Sequence, residues 1–267
     1  MMPDRRNIFF FYKKEDNLLE KINSLIQFAK DNEFTIVDDV NTANVVVSIG
    51  GDGAFLQAVR KTNFRTDCLY AGVSVDDTLS LYCDFHIDEQ EKMISAMNES
   101  QIEVRRYPVL EVKIDDLATF KCLNECSIRS SIIKTFAIDV FIDDLHFETF
   151  RGDGMLIATP TGSTGYNKSV NGAVVDPMLP CIQVSELASL NNNLYRTLGS
   201  SFILSEKRKL TLKIVQDGND YPVIGMDNEA LSVRNVLKLE YSLSDQPIKT
   251  VKLKDNSFWE KVKRSFL

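Results

Sequence analysis

Two glycine-rich stretches combine residue types that suit phosphate chemistry on a nucleotide. The first is Gly50-Gly51-Asp52-Gly53, fed by an apolar run ending at Ile49 and followed by Ala54-Phe55-Leu56. Bare amides opening a helix favour a phosphate. The Asp52 carboxylate in their midst would repel one unless a metal ion or a hydroxyl proton stood between. A hydroxyl about to attack phosphorus needs such an acceptor, so the combination points to the base of a kinase, where positioning and electrostatics carry the catalysis. An isolated Gly-Gly-Asp-Gly reads equally well as an Asp-Gly turn capping a helix. The stretch is neither a Walker loop, having no Gly-Lys-Ser/Thr, nor a Gly-x-Gly-x-x-Gly fingerprint.

The second stretch covers residues 151–169, from Arg151-Gly152-Asp153-Gly154 through Thr159-Pro160-Thr161-Gly162-Ser163-Thr164 to Gly165-Tyr166-Asn167-Lys168-Ser169. Its glycines bring backbone within reach of a ligand. The Thr159, Thr161, Ser163 and Thr164 hydroxyls both donate and accept, whereas the Asp153 carboxylate only accepts. So dense a set of donors, acceptors and bare backbone suits a polar ligand such as a nucleotide. Any short piece of it is also a capped helix start after a tight turn.

The elements that must position these stretches follow from hydrophobic period. Residues 7–12, 34–37, 44–49 and 69–75 read as buried strands. Between them, Leu18, Ile22, Leu25, Ile26 and Ala29 recur at helical spacing, and residues 55–60 and 88–97 read as further helices. Alternating strands and helices imply a parallel sheet covered on both faces, with ligands at the strands' carboxyl ends, where residues 50–53 fall. From about residue 102 the texture is β-rich. Residues 109–114, 120–128 and 136–142 are strand runs, and 145–150 returns after Asp143-Asp144 as a hairpin. A helix is expected around 185–190, then strands at 201–204, 209–215, 222–226, 237–243 and 249–254. Ser257 and Glu260 form a capping box for a last helix, and Trp259 is expected to anchor it by burial. The expected fold is α/β: a Rossmann-like amino-terminal domain over 1–101 with a parallel sheet, then a β-rich, antiparallel, sandwich-like domain over 102–256. The helix at 257–267 is expected to pack back on the first domain, and a cleft between the two domains is the default place for a site.

Composition narrows the function classes. A chain of 267 residues with formal net charge -7 is a poor candidate for nucleic-acid binding, which calls for a basic face. Five cysteines without a Cys-x-x-Cys pair suit free thiols in a reducing cytoplasm, with Cys122 and Cys126 as core thiols. Only His86 and His146 are present, which disfavours a histidine-built zinc site. No apolar run approaches a membrane span. Asp115-Asp116 and Asp143-Asp144 read as turns, and Lys207-Arg208-Lys209 as a solvated turn.

In order and spacing, residues 50–53 with Leu56, then Asn124-Glu125, Arg151-Gly152-Asp153-Gly154, and residues 159–164 with Tyr166 resemble the NAD kinases of bacterial type, the ATP/polyphosphate-NAD kinase family. Gly-Gly-Asp-Gly alone is shared with 6-phosphofructokinases and lipid kinases. The Thr-Pro-Thr-Gly-Ser-Thr run is far more specific, and residues 185–193 and the Phe258-Trp259-Glu260-Lys261-Val262 ending add to it. The resemblance runs from about Val45 to the C-terminus. It implies phosphorylation of the 2′-hydroxyl of NAD's adenosine ribose by ATP with a divalent metal ion, magnesium, giving NADP. By the same resemblance Asp52 is the base and Gly53 lends its amide nearby, while Asn124 and Glu125 bind the adenosine end. Arg151, Asp153, residues 164–169 (Thr164, Gly165, Tyr166, Asn167, Lys168 and Ser169) and Ala188 complete the NAD pocket. It further implies a homo-oligomer, tetramer or dimer. The chain departs from the family pattern at residues 72–85, where only Tyr82 and Asp84 match. That departure keeps open a catalytically silent dinucleotide-binding paralogue, and the shared Gly-Gly-Asp-Gly keeps open another kinase, acting on a lipid or sugar.

Overall fold

A computed structural model describes residues 6–76, 80–218 and 221–267. The chain divides into two compact units, the first made of residues 1–106 with 248–267 and the second of residues 107–247.

The first unit opens with β1 (Asn7–Phe11), α1 (Asp16–Asp31), β2 (Thr35–Ile36), β3 (Val45–Ile49) and α2 (Asp52–Lys61). It continues through β4 (Leu69–Ser74), β5 (Cys83–His86), α3 (Gln90–Asn98) and β6 (Ile102–Tyr107). The apolar stripe predicted on α1 is the face it buries: Ile22, Leu25 and Ala29 enter a core with Ile8, Val47, Ile49 and Val73. Helix α2 buries Phe55, Leu56, Ala58 and Val59. The β1–β3, β3–β4 and β4–β5 pairings are parallel, so the strands' carboxyl ends gather on one edge, and Asp52 follows the end of β3.

The second unit holds two six-stranded sheets among the described residues. Its elements begin with β7 (Leu110–Ile114), β8 (Ala118–Cys122), β9 (Glu125–Arg129), β10 (Phe136–Ile142), β11 (Leu145–Gly152) and β12 (Gly154–Ala158). A 3-10 turn at Thr161–Thr164 and a single helical turn α4 (Tyr166–Ser169) come next. Then follow β13 (Cys181–Leu187), β14 (Phe202–Ser205), β15 (Leu210–Ile214), β16 (Val223–Met226), β17 (Glu229–Ser232) and β18 (Lys238–Leu243). One sheet runs β11-β10-β15-β18-β7-β8 and the other β14-β13-β12-β9-β16-β17. Both contribute to a single core that includes Phe136, Ile138 and Phe150 from the first with Ile128, Met155 and Ile157 from the second.

Several expectations change. The run at 120–128 is two strands in different sheets, broken at Leu123-Asn124. A continuous apolar pattern cannot reveal that break, because β8 and β9 point alternate side chains into the same core. The helix expected at 185–190 is instead the end of strand β13, where Ser185 is buried and donates to Asn167 Oδ1 at 2.9 Å. The strand expected at 249–254, placed by sequence within a domain ending at 256, is β19 (Ile248–Leu253) of the first sheet, between β4 and β6. The boundary expected at 101 lies inside the run leading into β6, which also joins that sheet. The capping box is present at the start of α5 (Phe258–Phe266). Trp259 is 50% exposed, however, and Phe258 and Lys261 are the side chains that α5 buries.

The five cysteines are free and buried. Asp115, Asp116 and Asp143 take positive φ as turn residues, and Arg208 and the Lys209 amide are held by the Asp143 carboxylate.

Gly154 opens β12, and a Cβ there would overlap the Ile128 carbonyl on the paired strand β9. Backbone of a central strand cannot yield as a flexible side chain does. Gly154→Ala is therefore expected to lower stability by roughly 2–3 kcal/mol, read from the midpoint of urea unfolding; a change within about 0.5 kcal/mol, as at an ordinary surface site, would refute the close approach.

Candidate active site

Asp52 sits where β3 turns into α2. Gly50 has φ +138°, and a Cβ on it would lie 2.7 Å from that of Ala54, so the turn closes this tightly only with glycine. Gly51 caps α2, and Asp52 is its first residue. The two Asp52 carboxylate oxygens accept from the backbone N–H groups of Leu81 (3.1 Å) and Tyr82 (2.8 Å). The Tyr82 ring stacks on Phe55 of the same helix, with centroids 4.6 Å apart. Two amides thus fix the plane of the carboxylate, and each oxygen keeps further lone-pair capacity for a hydroxyl. Gly53 is exposed, and a Cβ there would meet nothing within 4 Å, so internal packing does not demand a glycine at this position. The segment 72–85, which departs from the family pattern, is the one that supplies both amides; residues 77–79 of it lie outside the described residues.

Asn124 and Glu125 stand at the break between β8 and β9. Asp227, at φ 52° in the turn between β16 and β17, gathers that break. Its carboxylate accepts from the N–H groups of Leu123 (3.0 Å), Asn124 (2.7 Å) and Glu125 (3.3 Å). From the other side, Thr159 and Thr161 donate their hydroxyls to the Leu123 carbonyl at 2.6 and 3.0 Å, and the Thr159 amide donates to the Asn124 carbonyl at 2.8 Å. At Gly162 a Cβ would overlap that same carbonyl. The Thr159, Thr161 and Ser163 side chains are essentially fully buried, which corrects the expectation that their hydroxyls meet a ligand. They hold the corner instead.

What the corner presents is polar and incomplete. Glu125 Oε2 lies 3.3 Å and Asn124 Nδ2 3.8 Å from where a Gly165 Cβ would be. Glu125 Oε2 is buried and finds no hydrogen-bond partner among the described residues. Burial, with the Asp227 charge adding to it, pushes the Glu125 carboxyl up to about 8.

Close by in the chain, an open groove of about 280 Å³ brings together Asp153, Tyr166 and Ala188, with Arg129, Val170, Asn171, Glu186 and Leu187. Asp153 is exposed, and its amide donates to the Leu187 carbonyl at 2.9 Å. Ala188 is exposed at φ 47° just past β13. Thr164 is half-buried and ends the 3-10 turn, its hydroxyl directed at the Thr161 carbonyl (3.4 Å), while Gly165, Lys168 and Ser169 are exposed. Asn167 differs from its neighbours. It is fully buried, with its amide directed at the Ser163 and Ala173 carbonyls and its Oδ1 accepting from Ser185.

The Arg151 guanidinium lies over the Tyr195 ring, 4.6 Å from its centroid. The segment bearing Tyr195 is pinned by two carboxylates. Glu148 accepts from the Leu198 amide (2.7 Å), and Glu186 accepts from the Thr197 hydroxyl (2.8 Å) and the Gly199 amide (3.1 Å). Burial raises the Glu148 carboxyl to about 7, with the neighbouring Glu186 adding to the effect.

Sequence reading missed Asp227, Arg129 and Glu186. Asp227-Asn228 between two strand runs is indistinguishable in sequence from an ordinary hairpin turn. Among the described residues no group of three or more His, Cys, Asp or Glu side chains is placed to hold a metal ion, and no helix is long and apolar enough to cross a membrane.

Comparison with known proteins bears on the family and the fold. A family model described as the ATP-NAD kinase C-terminal domain matches residues 123–253. NAD kinase 2 of Bacillus subtilis (strain 168) is 67% identical over 267 residues, covering all of both chains. NAD kinase 2 of Geobacillus kaustophilus (strain HTA426) is 62% identical over the same full length. Among solved structures, yeast NADH kinase complexed with NADH superposes with a TM-score of 0.81 at 19% identity, over 98% of this chain and 87% of that one. An NAD kinase from Archaeoglobus fulgidus in complex with ATP gives 0.74 at 20% identity, over 97% and 98%. Those two likenesses establish the fold, and the full-length Bacillus and Geobacillus identities go further: the chain belongs to the NAD kinase family.

Proposed function

We propose that the protein transfers the γ-phosphoryl group of ATP to the 2′-hydroxyl of NAD's adenosine ribose, giving NADP and ADP. The observation that carries the reading is the Asn124–Glu125 corner, where buried hydrogen-bonding capacity is left unspent at a backbone bared by Gly165. Burying an unpaired carboxyl oxygen costs stability. A ribose hydroxyl or a ring amine of the adenosine end would satisfy it.

Asp52 accepts the proton of the attacking hydroxyl as the new O–P bond forms and the bond from the γ-phosphorus to the ADP oxygen breaks. Its two backbone bonds set its orientation before substrate arrives, so little reorganisation accompanies the transfer. The bare amide end of α2 at Gly53 suits an approaching phosphate. Asp153, Tyr166 and Ala188, with Thr164, Gly165, Lys168 and Ser169 on the adjoining turn, line the rest of the dinucleotide's path. Tyr166 offers a ring to stack on, and Arg151 a guanidinium that can meet a phosphate. The buried Asn167 supports this loop from beneath rather than meeting the ligand.

Magnesium, when bound with ATP, neutralises phosphate charge. The donor set fits a cation carried by the phosphates: Asp76 Oδ2 lies 3.5 Å from a Cβ position on Gly51. Mg²⁺ is ordinarily held by one or two carboxylates plus phosphates and water. Exposed Leu190, Leu194 and Leu198 on the segment around Tyr195 support a homo-oligomer, dimer or tetramer. Membership in this family sets aside the lipid- and sugar-kinase reading, and the reducing-type cysteine set supports a cytoplasmic protein.

Asp52→Asn is expected to keep NAD binding, read by calorimetry, and to lose turnover by roughly 10²–10⁴-fold, read as NADP formed from NAD, ATP and Mg²⁺. Loss of binding together with turnover would make Asp52 a structural or binding group.

Glu125→Gln tests the corner. The Glu125 carboxyl is raised from 4.5 to about 8, so between these values the folded chain holds a proton that the unfolded chain releases. That contribution to stability is full below pH 4.5 and lost as the pH rises through about 8. The glutamine does not titrate, so its thermal midpoint is expected to gain on the wild type from pH 5 to pH 8, by about 2–4 kcal/mol in stability, while NAD binds roughly tenfold or more weakly. A stability gap that does not change with pH would contradict the buried, ligand-facing carboxyl.

A further inference from the structure

Behind Asp52 the first unit buries a cluster of charge that the reaction as described does not use. Lys252 on β19 is 0% exposed, Lys261 on α5 is 2% exposed, and Asp84 on β5 is 1% exposed. Asp84 Oδ1 is ion-paired with Lys261 and lies 3.6 Å from Lys252 Nζ, while its Oδ2 accepts from the Leu253 amide at 2.6 Å. One carboxylate facing two ammonium groups leaves donors over, and these go to backbone. Lys261 Nζ donates to the Leu81 carbonyl at 2.9 Å, and Lys252 Nζ donates to the Tyr82 carbonyl at 2.5 Å and reaches the Leu81 carbonyl at 3.5 Å.

The carbonyl of Leu81 and the N–H of Tyr82 belong to one peptide group. Lysine binds it at the oxygen, and the Asp52 carboxylate binds it at the nitrogen. We propose that Lys261 and Lys252, held by Asp84, are positioning residues for Asp52, acting through the Leu81–Tyr82 peptide that lies between them. The inference rests on the reading of Asp52 as the base. An ammonium on the carbonyl polarises the amide and strengthens its bond to the carboxylate on the far side. It also fixes where that amide can lie, and so where the carboxylate points. The Tyr82 ring on Phe55 and the close passage of Gly72, where a Cβ would lie 2.6 Å from the Tyr82 carbonyl, hold the residue that follows this peptide.

This arrangement has a cost that a merely structural contact would not explain. Burial, then the neighbouring Lys252 charge, push Lys261 down to about 7, against the opposing pull of Asp84, and Arg105 adds to the depression. Asp84 is held below the usual carboxylate range by the two lysines, which outweigh its burial. A buried ion group can often be replaced by apolar side chains of similar volume without loss of stability. Lys261 on the peptide that orients Asp52, with Lys252 chiefly on the next carbonyl, gives the charge something to do besides folding.

Lys261→Met is the informative variant, because Asp84 keeps Lys252 and the Leu253 amide as partners. Asp84 variants would leave two buried ammonium groups unpaired and are expected to unfold. Lys261→Met is expected to retain the wild-type thermal midpoint to within a few degrees and to lower kcat roughly tenfold, with KM for NAD and ATP changed less than about threefold. In an Asp52→Asn background the same substitution should cost nothing further, since its effect passes through Asp52. By hydrogen–deuterium exchange, the Leu81 and Tyr82 amides should exchange roughly tenfold faster in both single variants, with β3 unchanged.

Additive losses, a KM effect as large as the kcat effect, or unaltered exchange at Leu81 and Tyr82 would overturn the proposal. Lys252→Met, read the same way, decides the matter if Lys261→Met does not fold. A wild type that makes no NADP would sink the kinase reading instead, and the exchange arm would still decide whether the lysines hold the peptide on Asp52.

Discussion

A carboxylate that gathers backbone amides is the interaction on which the functional groups of both units depend. Asp52 does this with Leu81 and Tyr82, and Asp227 with Leu123, Asn124 and Glu125. In each place the chain leaves regular pairing, and amides that would otherwise be buried without partners need an acceptor. A charged acceptor makes stronger bonds than a carbonyl and accepts from several donors at once. The consequence for Asn124 and Glu125 is direct. Their backbone is fixed by Asp227 on one side and by Thr159 and Thr161 on the other, so their side chains are presented from a rigid corner rather than from a loop.

The same device sets a conflict that the fold leaves unresolved. Asp227 brings a second negative charge near Glu125, and with burial this raises the Glu125 carboxyl. Exchanging Glu125 for a neutral residue would relieve that burden. A side chain that costs the free fold stability, and whose one oxygen is left unpartnered, belongs to a ligand's account rather than to the core's. Asn167 is the contrast. It has the same polar character a few residues from Gly165, yet Ser163, Ala173 and Ser185 engage its whole amide, and Gly172 leaves it room, since a Cβ there would overlap it.

Much of this was legible in the chain, and what was not has physical reasons. Period and turn chemistry located the first parallel strands, the 136–150 hairpin and the capping box at Ser257. They failed at residues 120–128, where two strands share one apolar pattern. They failed again at 185–190, where Glu186-Leu187-Ala188 carries helix-forming residues but the pairing of residues 185–187 with β12 overrides propensity. The site motifs were legible as motifs. What their hydroxyls do was not, because a Thr that binds a ligand and a Thr that binds a carbonyl are written with the same letter. Trp259 failed for a related reason: size predicts burial only on average, and α5 turns Phe258 and a lysine inward instead. A buried lysine is rare unless paired, and its partner Asp84 lies too far away in the chain for spacing to connect them.

That distance also constrains how the first unit closes. Strand β19 enters between β4 and β6 only after the whole of residues 107–247 has intervened. Closing so long a loop costs entropy that grows only slowly with its length, but the register must still be chosen, and in the parallel pairing of β19 with β4 it sets Thr250 opposite Tyr70. A slip of one residue would turn the side chains of β19 to the opposite face. Lys252 would then leave Asp84 and the Tyr82 carbonyl, and an ammonium would be buried without a partner, at a cost of several kcal/mol. The ion cluster therefore excludes the wrong registers more forcefully than apolar packing of Val251 and Leu253 could. The register it selects is the one that sets Lys252 and Lys261 against the peptide holding Asp52.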